Sequence, residues 1–275
     1  MDFDVKLIAL DLDDTLIDPI RQELTEENRR AVRAAKEKGV LVTVATGRIY
    51  PFAKKWVEML DIDMKVIASN GADLRKDGKS LHRETISGDL TRQVFQRLEG
   101  HELFKFAFSG DYVYCTPQDK NKELFTKWGY MKGEEYNFPL RFVDSWAEVL
   151  PHVEGDTQKI LLWSTSGRQQ QLIRKELEGF ADVLDIVCGG GVNLEITPKG
   201  VTKGAALKRV AKEYGIAMEN VMAVGDSEND VSMLQVAGVP IVVANAQPEA
   251  KAAAIYEVAT CEENGVAQAI RRFVL

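Results

Sequence analysis

The chain has 275 residues, of which 45% are hydrophobic and 28% are charged, and its formal net charge is −7. This length allows one large domain or two ordinary ones, each with its own core. The acidic balance argues against nucleic-acid binding, which needs clustered Lys and Arg. No apolar run approaches the roughly 18 residues that a membrane span needs. Cys115, Cys188 and Cys261 form no close pair, so we expect no disulfide, no zinc site and a cytoplasmic location.

The first predicted strand is followed by the most informative motif of the chain. Leu7-Ile8-Ala9-Leu10 is an apolar run typical of a buried parallel strand, and Asp11-Leu12-Asp13-Asp14-Thr15 follows it directly. Proteins of the α/β class place their chemistry at the carboxyl ends of such strands, where Asp11 and Asp13 would lie. A strand that ends in solvent also carries acids, so this motif alone leaves both interpretations open.

A helix and a second strand come next. Residues 26–38 are predicted to be helical, with Thr25 as N-cap and Gly39 at the end. A strand is predicted over 40–45, and Thr46-Gly47-Arg48 follows it, before a helix over 52–60. Taken alone, this second motif is an ordinary strand-to-helix turn capped by Thr46.

The pattern of elements changes near Ser87. Up to that point, alternating strands and helices predict a parallel sheet covered on both faces. A further strand is predicted at 66–69, ending in a turn at Asn70-Gly71, and a hairpin tip at 76–79. Helices are then predicted over 89–98 and 169–177, and strands over 103–108, 111–115, 141–143, 159–163 and 183–187, the first two pairing antiparallel. We interpret 86–192 as an inserted α+β domain, and 1–85 with 193–275 as the core domain.

The last part of the chain supplies two more motifs. Lys203 is predicted to begin a helix over 203–214, although a lone lysine is by default a solvated side chain. Gly225-Asp226-Ser227-Glu228-Asn229-Asp230 follows a strand over 221–224. It therefore places another carboxylate at the end of another buried strand. Strands over 241–243 and 256–259 and a helix over 265–273 complete the alternation.

Together the four motifs resemble those of the haloacid dehalogenase superfamily of phosphotransferases. The order is the same: Asp-x-Asp-x-Thr, then Thr, then Lys, then Gly-Asp-x-x-x-Asp. The last motif and the long insert before Lys203 resemble the Cof-type branch, which carries a class IIB cap. Asp14 and Ala244 stand where members often have Gly. The resemblance implies an α/β fold, a Rossmann-like doubly wound parallel sheet with an inserted α+β cap, in which residues 86–192 select the substrate.

The chemistry expected of these residues is phosphoryl transfer. Asp11 would be the nucleophile that forms an aspartyl-phosphate, and Asp13 would act as general acid and base. Asp11, Asp13 and Asp226 would hold Mg²⁺, because converging carboxylates repel one another unless a cation lies between them. The resemblance implies that Asp13 would use its backbone carbonyl for this purpose.

The remaining motif residues are expected to bind or support the phosphate. Asp230 is expected to orient Lys203 or a water on the metal. For Arg48 two interpretations stay open, since it either faces the cap and a substrate or pairs with a local acid. Side chains or backbone amides of five positions would contact the phosphate oxygens: Leu12, Thr46, Gly47, Lys203 and Asn229.

The sequence therefore predicts a Mg²⁺-dependent phosphatase that acts on a small phosphorylated metabolite such as a sugar phosphate. It would be a cytoplasmic monomer or weak homo-oligomer, with no nucleic-acid or membrane partner. Two alternatives remain. A phosphosugar mutase of the same superfamily would keep the phosphate on its product, and a non-catalytic phosphate-ester-binding protein would bind without hydrolysis.

Overall fold

A computed structural model describes residues 3–18, 23–115, 140–143, 145–153 and 155–275 of the chain. Two compact units are present, a core unit formed by residues 1–82 and 202–275, and an inserted unit formed by residues 83–201. Among the described residues, no helix combines the length and hydrophobicity needed to cross a membrane.

The secondary structure alternates as predicted in the core unit and departs from alternation in the inserted unit. The strands are β1 (Leu7–Leu10), β2 (Leu41–Val44), β3 (Val66–Ala68), β4 (Asp73–Lys76), β5 (Lys79–Arg83), β6 (Phe104–Ser109), β7 (Tyr112–Cys115), β8 (Leu140–Phe142), β9 (Thr157–Trp163), β10 (Leu184–Val187), β11 (Asn193–Pro198), β12 (Val221–Gly225), β13 (Val239–Val243) and β14 (Tyr256–Val258). The helices are α1 (Glu26–Glu37), α2 (Tyr50–Met59), α3 (Gly88–Arg97), α4 (Trp146–Val153), α5 (Gly167–Glu176), α6 (Lys203–Glu213), α7 (Val231–Val236), α8 (Pro248–Ala253) and α9 (Gly265–Phe273).

The core unit is built on a five-stranded parallel sheet in the order β14-β13-β12-β1-β2. Its central strands β1, β12 and β13 are apolar and buried throughout, which is typical of parallel sheets. The chain passes from β1 to β2 on one side and later resumes on the other side of β1 with β12. This reversal is the point at which doubly wound sheets bind their ligands. The predicted fold class is confirmed.

Helix α1 shows how local sequence fixes an element that supports the first motif. Thr25 caps it, because its Oγ1 accepts a hydrogen bond from the amide of Asn28 at 3.2 Å. Gly39 follows its end with a φ of 87°. The buried Asn28 side chain donates to the carbonyl of Leu16 at 3.3 Å and accepts from the amide of Ala267 at 2.9 Å. The helix thereby ties down the loop that follows β1.

The inserted unit contains a six-stranded sheet in the order β10-β11-β9-β6-β7-β8. The pairs are antiparallel except for β7 with β8. Its own hydrophobic core includes Val94, Ile160 and Ile173, and the rings of Phe95 and Trp146 stack with centroids 4.1 Å apart. The unit is therefore an α+β domain with a separate core.

The division between the units differs from the one expected from the sequence. The core unit was expected to resume at Asn193, but β11 pairs with both β9 and β10. Leu194 and Ile196 on this strand belong to the hydrophobic core of the inserted unit. The second boundary consequently falls after Val201, and the first falls after His82.

Candidate active site

Asp11 and Lys203 form a buried ion pair at the carboxyl end of β1. Lys203 Nζ donates to Asp11 Oδ1 at 2.6 Å and to Asp230 Oδ1 at 2.7 Å. Lys203 begins α6, whose N-cap Thr202 accepts from the amide of Ala205 at 3.1 Å. The lysine side chain is fully buried, so it is not a solvated surface residue.

The charges in this pair change the ionisation of both partners. Burial raises the pKa of Asp11 well above its usual range; Lys203 opposes this shift, while Asp230 and Asp13 add to it. Burial alone would lower the pKa of Lys203, but the neighbouring carboxylates of Asp11 and Asp230 raise it. Lys203 therefore remains a permanent positive charge beside Asp11.

The loop after β12 brings a second and a third acid to the same place. Thr15 Oγ1, in the loop after β1, donates to Asp226 Oδ1 at 2.8 Å. Burial raises the pKa of Asp226 well above its usual range, and the charges of Asp230 and Asp11 raise it further. Asp230 Oδ2 accepts from the amides of Asp226 and Ser227 at 2.9 and 3.1 Å. Asp230 thus connects its own loop to Lys203.

One carboxylate oxygen from each of Asp11, Asp226 and Asp230 can be chosen so that all lie within 4.8 Å of one another. These are hard oxygen donors, and the pKa values of Asp11 and Asp226 are raised first by burial and then by the neighbouring carboxylates. The donor set therefore fits a hard divalent cation such as Mg²⁺. Because Asp230 already accepts from Lys203 and from two amides, Asp11 and Asp226 are the better candidates for side-chain ligands.

The Asp13 carboxylate pairs with Arg48. Arg48 Nε donates to Asp13 Oδ2 at 2.7 Å, and Nη2 donates to Oδ1. The guanidinium group is almost fully buried, lies 4.5 Å from the centre of the Trp56 ring, and donates to the carbonyl of Phe52 at 3.3 Å. Of the two interpretations of Arg48, pairing with a local acid describes this structure.

The loop after β2 carries the second motif. Thr46 Oγ1 accepts from the amide of Arg48 at 3.1 Å, and the amide of Thr46 donates to the carbonyl of Ile67 at 2.8 Å. Gly47 lies between these two residues. In the loop after β1, the carbonyl of Leu12 accepts from the amides of Leu16 and Ile17 at 2.9 Å each. Both loops are thus curled by their own hydrogen bonds at the ends of adjacent strands.

Asn229 is held on both sides of its carboxamide. Its Oδ1 accepts from Ser227 Oγ at 2.9 Å, and its Nδ2 donates to Asn70 Oδ1 at 3.3 Å. The sequence predicts only a turn at Asn70, and it assigns no role to Thr15 or Trp56. The Asn-Gly pair was the available signal for Asn70, but it indicates backbone conformation and not a contact made 159 positions away.

Comparison with known proteins gives the family. The family model for haloacid dehalogenase-like hydrolases matches residues 8–270, a span that includes all four motifs. The chain belongs to this family. It is 32% identical over 275 residues to the 5-amino-6-(5-phospho-D-ribitylamino)uracil phosphatase YcsE of Bacillus subtilis (strain 168), with 100% of this chain and 98% of the relative covered. As a member of this haloacid dehalogenase-like family with phosphatase relatives, it is an enzyme of the phosphatase class.

Two solved structures have folds similar to that of this chain. A haloacid dehalogenase-like hydrolase from B. subtilis has a TM-score of 0.85 and 31% sequence identity, over 97% of this chain and 99% of that one. A subclass IIB sugar phosphatase of the superfamily has a TM-score of 0.83 and 22% identity, over 98% of both chains. At that identity the second likeness shows the fold alone.

Proposed function

We propose that this haloacid dehalogenase-like enzyme is a Mg²⁺-dependent phosphatase that hydrolyses small phosphorylated metabolites through an aspartyl-phosphate on Asp11. The observation that carries the proposal is the buried Lys203 ammonium bonded to Asp11 at 2.6 Å, with a cluster of further carboxylates around the same point. A fixed cation beside a carboxylate nucleophile is what transfer of an anionic phosphoryl group requires.

Asp11 is the proposed nucleophile. Lys203 holds its Oδ1 atom, so we assign the attack on phosphorus to Oδ2. A bond forms between Oδ2 and phosphorus while the bond from phosphorus to the ester oxygen breaks. Lys203 balances part of the negative charge on the transferring group. In the second half of the reaction a water oxygen attacks phosphorus, inorganic phosphate leaves, and the carboxylate of Asp11 is restored.

Asp13 is the proposed general acid and base. In the first half its proton passes to the departing ester oxygen, and in the second half its carboxylate takes a proton from the attacking water. Its side chain is about one-third exposed and paired with Arg48. One of the two Asp13 oxygens must therefore leave Arg48 when it serves the leaving group, while the bond to the other oxygen keeps the carboxyl group in place.

Mg²⁺ would be held by side-chain oxygens of Asp11 and Asp226 and by the backbone carbonyl of Asp13. When bound, it would supply the positive charge that offsets the crowded carboxylates and the phosphoryl oxygens. Thr15 supports this assignment because its hydrogen bond fixes Asp226. Asp230 orients Lys203.

The phosphate is proposed to lie between the loops that follow β1, β2 and β12. The groups assigned to it are the backbone amides of Leu12 and Gly47, the side chains of Thr46 and Asn229, and the ammonium of Lys203. The adjacency of β1 with β2 and with β12 supports this grouping.

The substrate class is proposed to be phosphomonoesters of small polyols and sugars. Two relatives, 32% and 28% identical, are named phosphatases of a phosphorylated ribitylamino-uracil, which supports this class. The inserted unit is proposed to select among such esters. We further propose a cytoplasmic monomer or weak homo-oligomer without nucleic-acid or membrane partners. The net charge of −7 supports the absence of a nucleic-acid partner.

A metabolite screen tests the proposal. Purified protein is incubated with Mg²⁺ and a panel of sugar, polyol and ribityl phosphates, and released inorganic phosphate is measured before and after EDTA treatment. Release that stops with EDTA and returns with Mg²⁺ is expected. Conversion of substrates without phosphate release would instead indicate the mutase alternative, and full activity after chelation would contradict the metal assignment.

A further inference from the structure

The turn Ser69–Gly71, which directly follows β3, has an unusual backbone. Its three residues have positive φ angles of 51°, 57° and 99°, and all three are buried. Residues other than glycine rarely adopt this left-handed conformation. Ser69 and Asn70 are two such residues in succession. A buried backbone of this kind persists only where the surrounding structure holds it.

Hydrogen bonds and close packing hold this turn against two motif-bearing segments. The amide of Ser69 donates to the carbonyl of Arg48 at 2.8 Å, and the amide of Asn70 donates to the carbonyl of Thr46 at 3.0 Å. A Cβ atom added at Gly71 would lie 2.3 Å from the carbonyl oxygen of Thr202, the residue that caps α6. The turn is therefore packed between the loop after β2 and the start of the helix that carries Lys203.

The Asn70 side chain extends this contact to a third segment. Its Oδ1 accepts from Asn229 Nδ2 at 3.3 Å, and the Oδ1 of Asn229 accepts from Ser227 Oγ at 2.9 Å. Both asparagines are buried. The two bonds hold both ends of the Asn229 carboxamide. A glycine would satisfy the left-handed backbone at least as well, so the backbone does not account for a carboxamide at position 70, whereas the bond to Asn229 does.

We propose that Asn70 is a positioning residue of the phosphate site and that it acts through Asn229. The inference rests on the proposed function, in which Asn229 binds the phosphate. Asn70 sets the orientation of the Asn229 amide, and its own backbone amide holds the loop after β2 through the carbonyl of Thr46. The neighbouring Gly71 packs against Thr202 at the start of α6. Three of the four motifs thus depend on a turn that contains none of them.

The test is the binding of inorganic phosphate to the Mg²⁺-loaded protein, measured by calorimetry for wild type, Asn70→Gly, Asn229→Ala and the double variant. Asn70→Gly keeps the left-handed backbone and removes only the side chain. We expect it to raise the Kd for phosphate by about 3- to 10-fold, the size of one hydrogen bond. The same substitution is expected to change the Kd little further in the Asn229→Ala background, because the effects of substituting two residues that act through one another do not add.

Asp77→Gly is the matched control. Asp77 is an exposed turn residue with a φ of 51°, so this variant repeats the backbone change away from the site. We expect its phosphate affinity to equal that of wild type. Melting temperatures of all variants separate a loss of stability from a loss of affinity.

Three results would overturn the proposal. The first is an unchanged phosphate affinity in Asn70→Gly. The second is a loss of phosphate affinity on Asn70→Gly that is as large in the Asn229→Ala background as in the wild type. The third is the absence of phosphate binding by the wild type. Turnover of p-nitrophenyl phosphate, measured on the same samples, tests the proposed function separately. A wild type that binds phosphate without turnover would contradict the function, and the coupling between Asn70 and Asn229 would still decide this inference.

Discussion

At the scale of single residues, the site is organised by pairing each acid with a specific partner. Lys203 donates hydrogen bonds to Asp11 and Asp230, Thr15 donates one to Asp226, and Arg48 donates to Asp13. The sequence motifs supply these acids, but the spacing of residues does not show which partner each one has. Asp14 illustrates what the structure adds, since its φ of 58° explains why a glycine suits this position in related proteins.

The nucleophile assignment leads to the first prediction. Asp11→Asn should lower the turnover number by at least about four orders of magnitude, because the attacking carboxylate is lost. The fold should persist, since the amide can still accept from Lys203. Asp14→Asn, in the same loop, is the control and should retain activity. Phosphate release and circular dichroism measure the two effects. Substantial turnover by Asp11→Asn would show that another group attacks phosphorus.

The pairing of Asp13 with Arg48 leads to the second prediction. Arg48→Gln removes both bonds that hold Asp13, so the proposed general acid is no longer positioned. Turnover of an alkyl phosphate should fall about 100-fold, within the range of acid catalysis. Turnover of p-nitrophenyl phosphate should fall much less, because its leaving group needs little protonation. Arg48→Lys keeps the charge without the two-pronged geometry and should lie between. Equal losses on both esters would indicate that Arg48 serves phosphate binding alone.

The raised pKa values of Asp11 and Asp226 lead to the third prediction. A carboxyl group whose folded-state pKa is raised binds more protons when folded, so the metal-free protein should lose stability as the pH rises above the unfolded value of 3.8. Mg²⁺ binding should release protons and tighten as pH rises. Calorimetric titrations and melting curves from about pH 5 to about pH 8 test both trends. A pH-independent affinity would mean that other groups bind the ion.

At the scale of elements, prediction from sequence worked where the ends of an element carry their own signals. Helix α1 was expected over 26–38 and is observed at Glu26–Glu37, since Thr25 and Gly39 mark its ends. Helices α7 and α8 have six residues each, too few for a periodic pattern. Strand β11 alternates apolar and polar residues, but alternation does not show which sheet a strand joins, and the domain boundary was therefore misplaced.

The packing of the turn Ser69–Gly71 against α6 leads to the fourth prediction. Gly71→Ala should cost roughly 3 kcal/mol of folding free energy, because a Cβ would meet the backbone oxygen of Thr202 at 2.3 Å and φ is 99°. Activity should fall as well, since α6 carries Lys203. Gly39→Ala is the matched control: its φ is 87° but nothing lies within 4 Å, so only the conformational cost of about 1 kcal/mol applies. Urea denaturation compares them, and equal losses would contradict the packing argument.

At the scale of the whole molecule, the chain leaves the core unit once and returns once. This gives the fifth prediction. Replacing 83–201 with a short linker should leave a core that binds Mg²⁺ and hydrolyses p-nitrophenyl phosphate but no longer ranks natural esters as the full chain does. A core that keeps the parent's ranking would show that selectivity lies elsewhere.

The control for this excision removes 86–192, the segment expected from the sequence. That version retains β11 without its partners β9 and β10, and it exposes Leu194 and Ile196. It should aggregate where the first version is soluble. Size-exclusion chromatography distinguishes the two, and similar behaviour of both versions would contradict the structural boundary.

The central position of β1 has a consequence for the order of events during synthesis. This strand lies between β2 and β12, and Asp11 and Lys203 are 192 positions apart. A ribosome therefore releases β1 long before its second neighbour exists, whereas the inserted unit is one continuous stretch that is finished earlier. Because nascent domains fold as their residues become available, the inserted unit is expected to fold first. The pairing of Asp11 with Lys203 is completed only with the final quarter of the chain, and a product terminated before that point holds the proposed nucleophile with no lysine beside it.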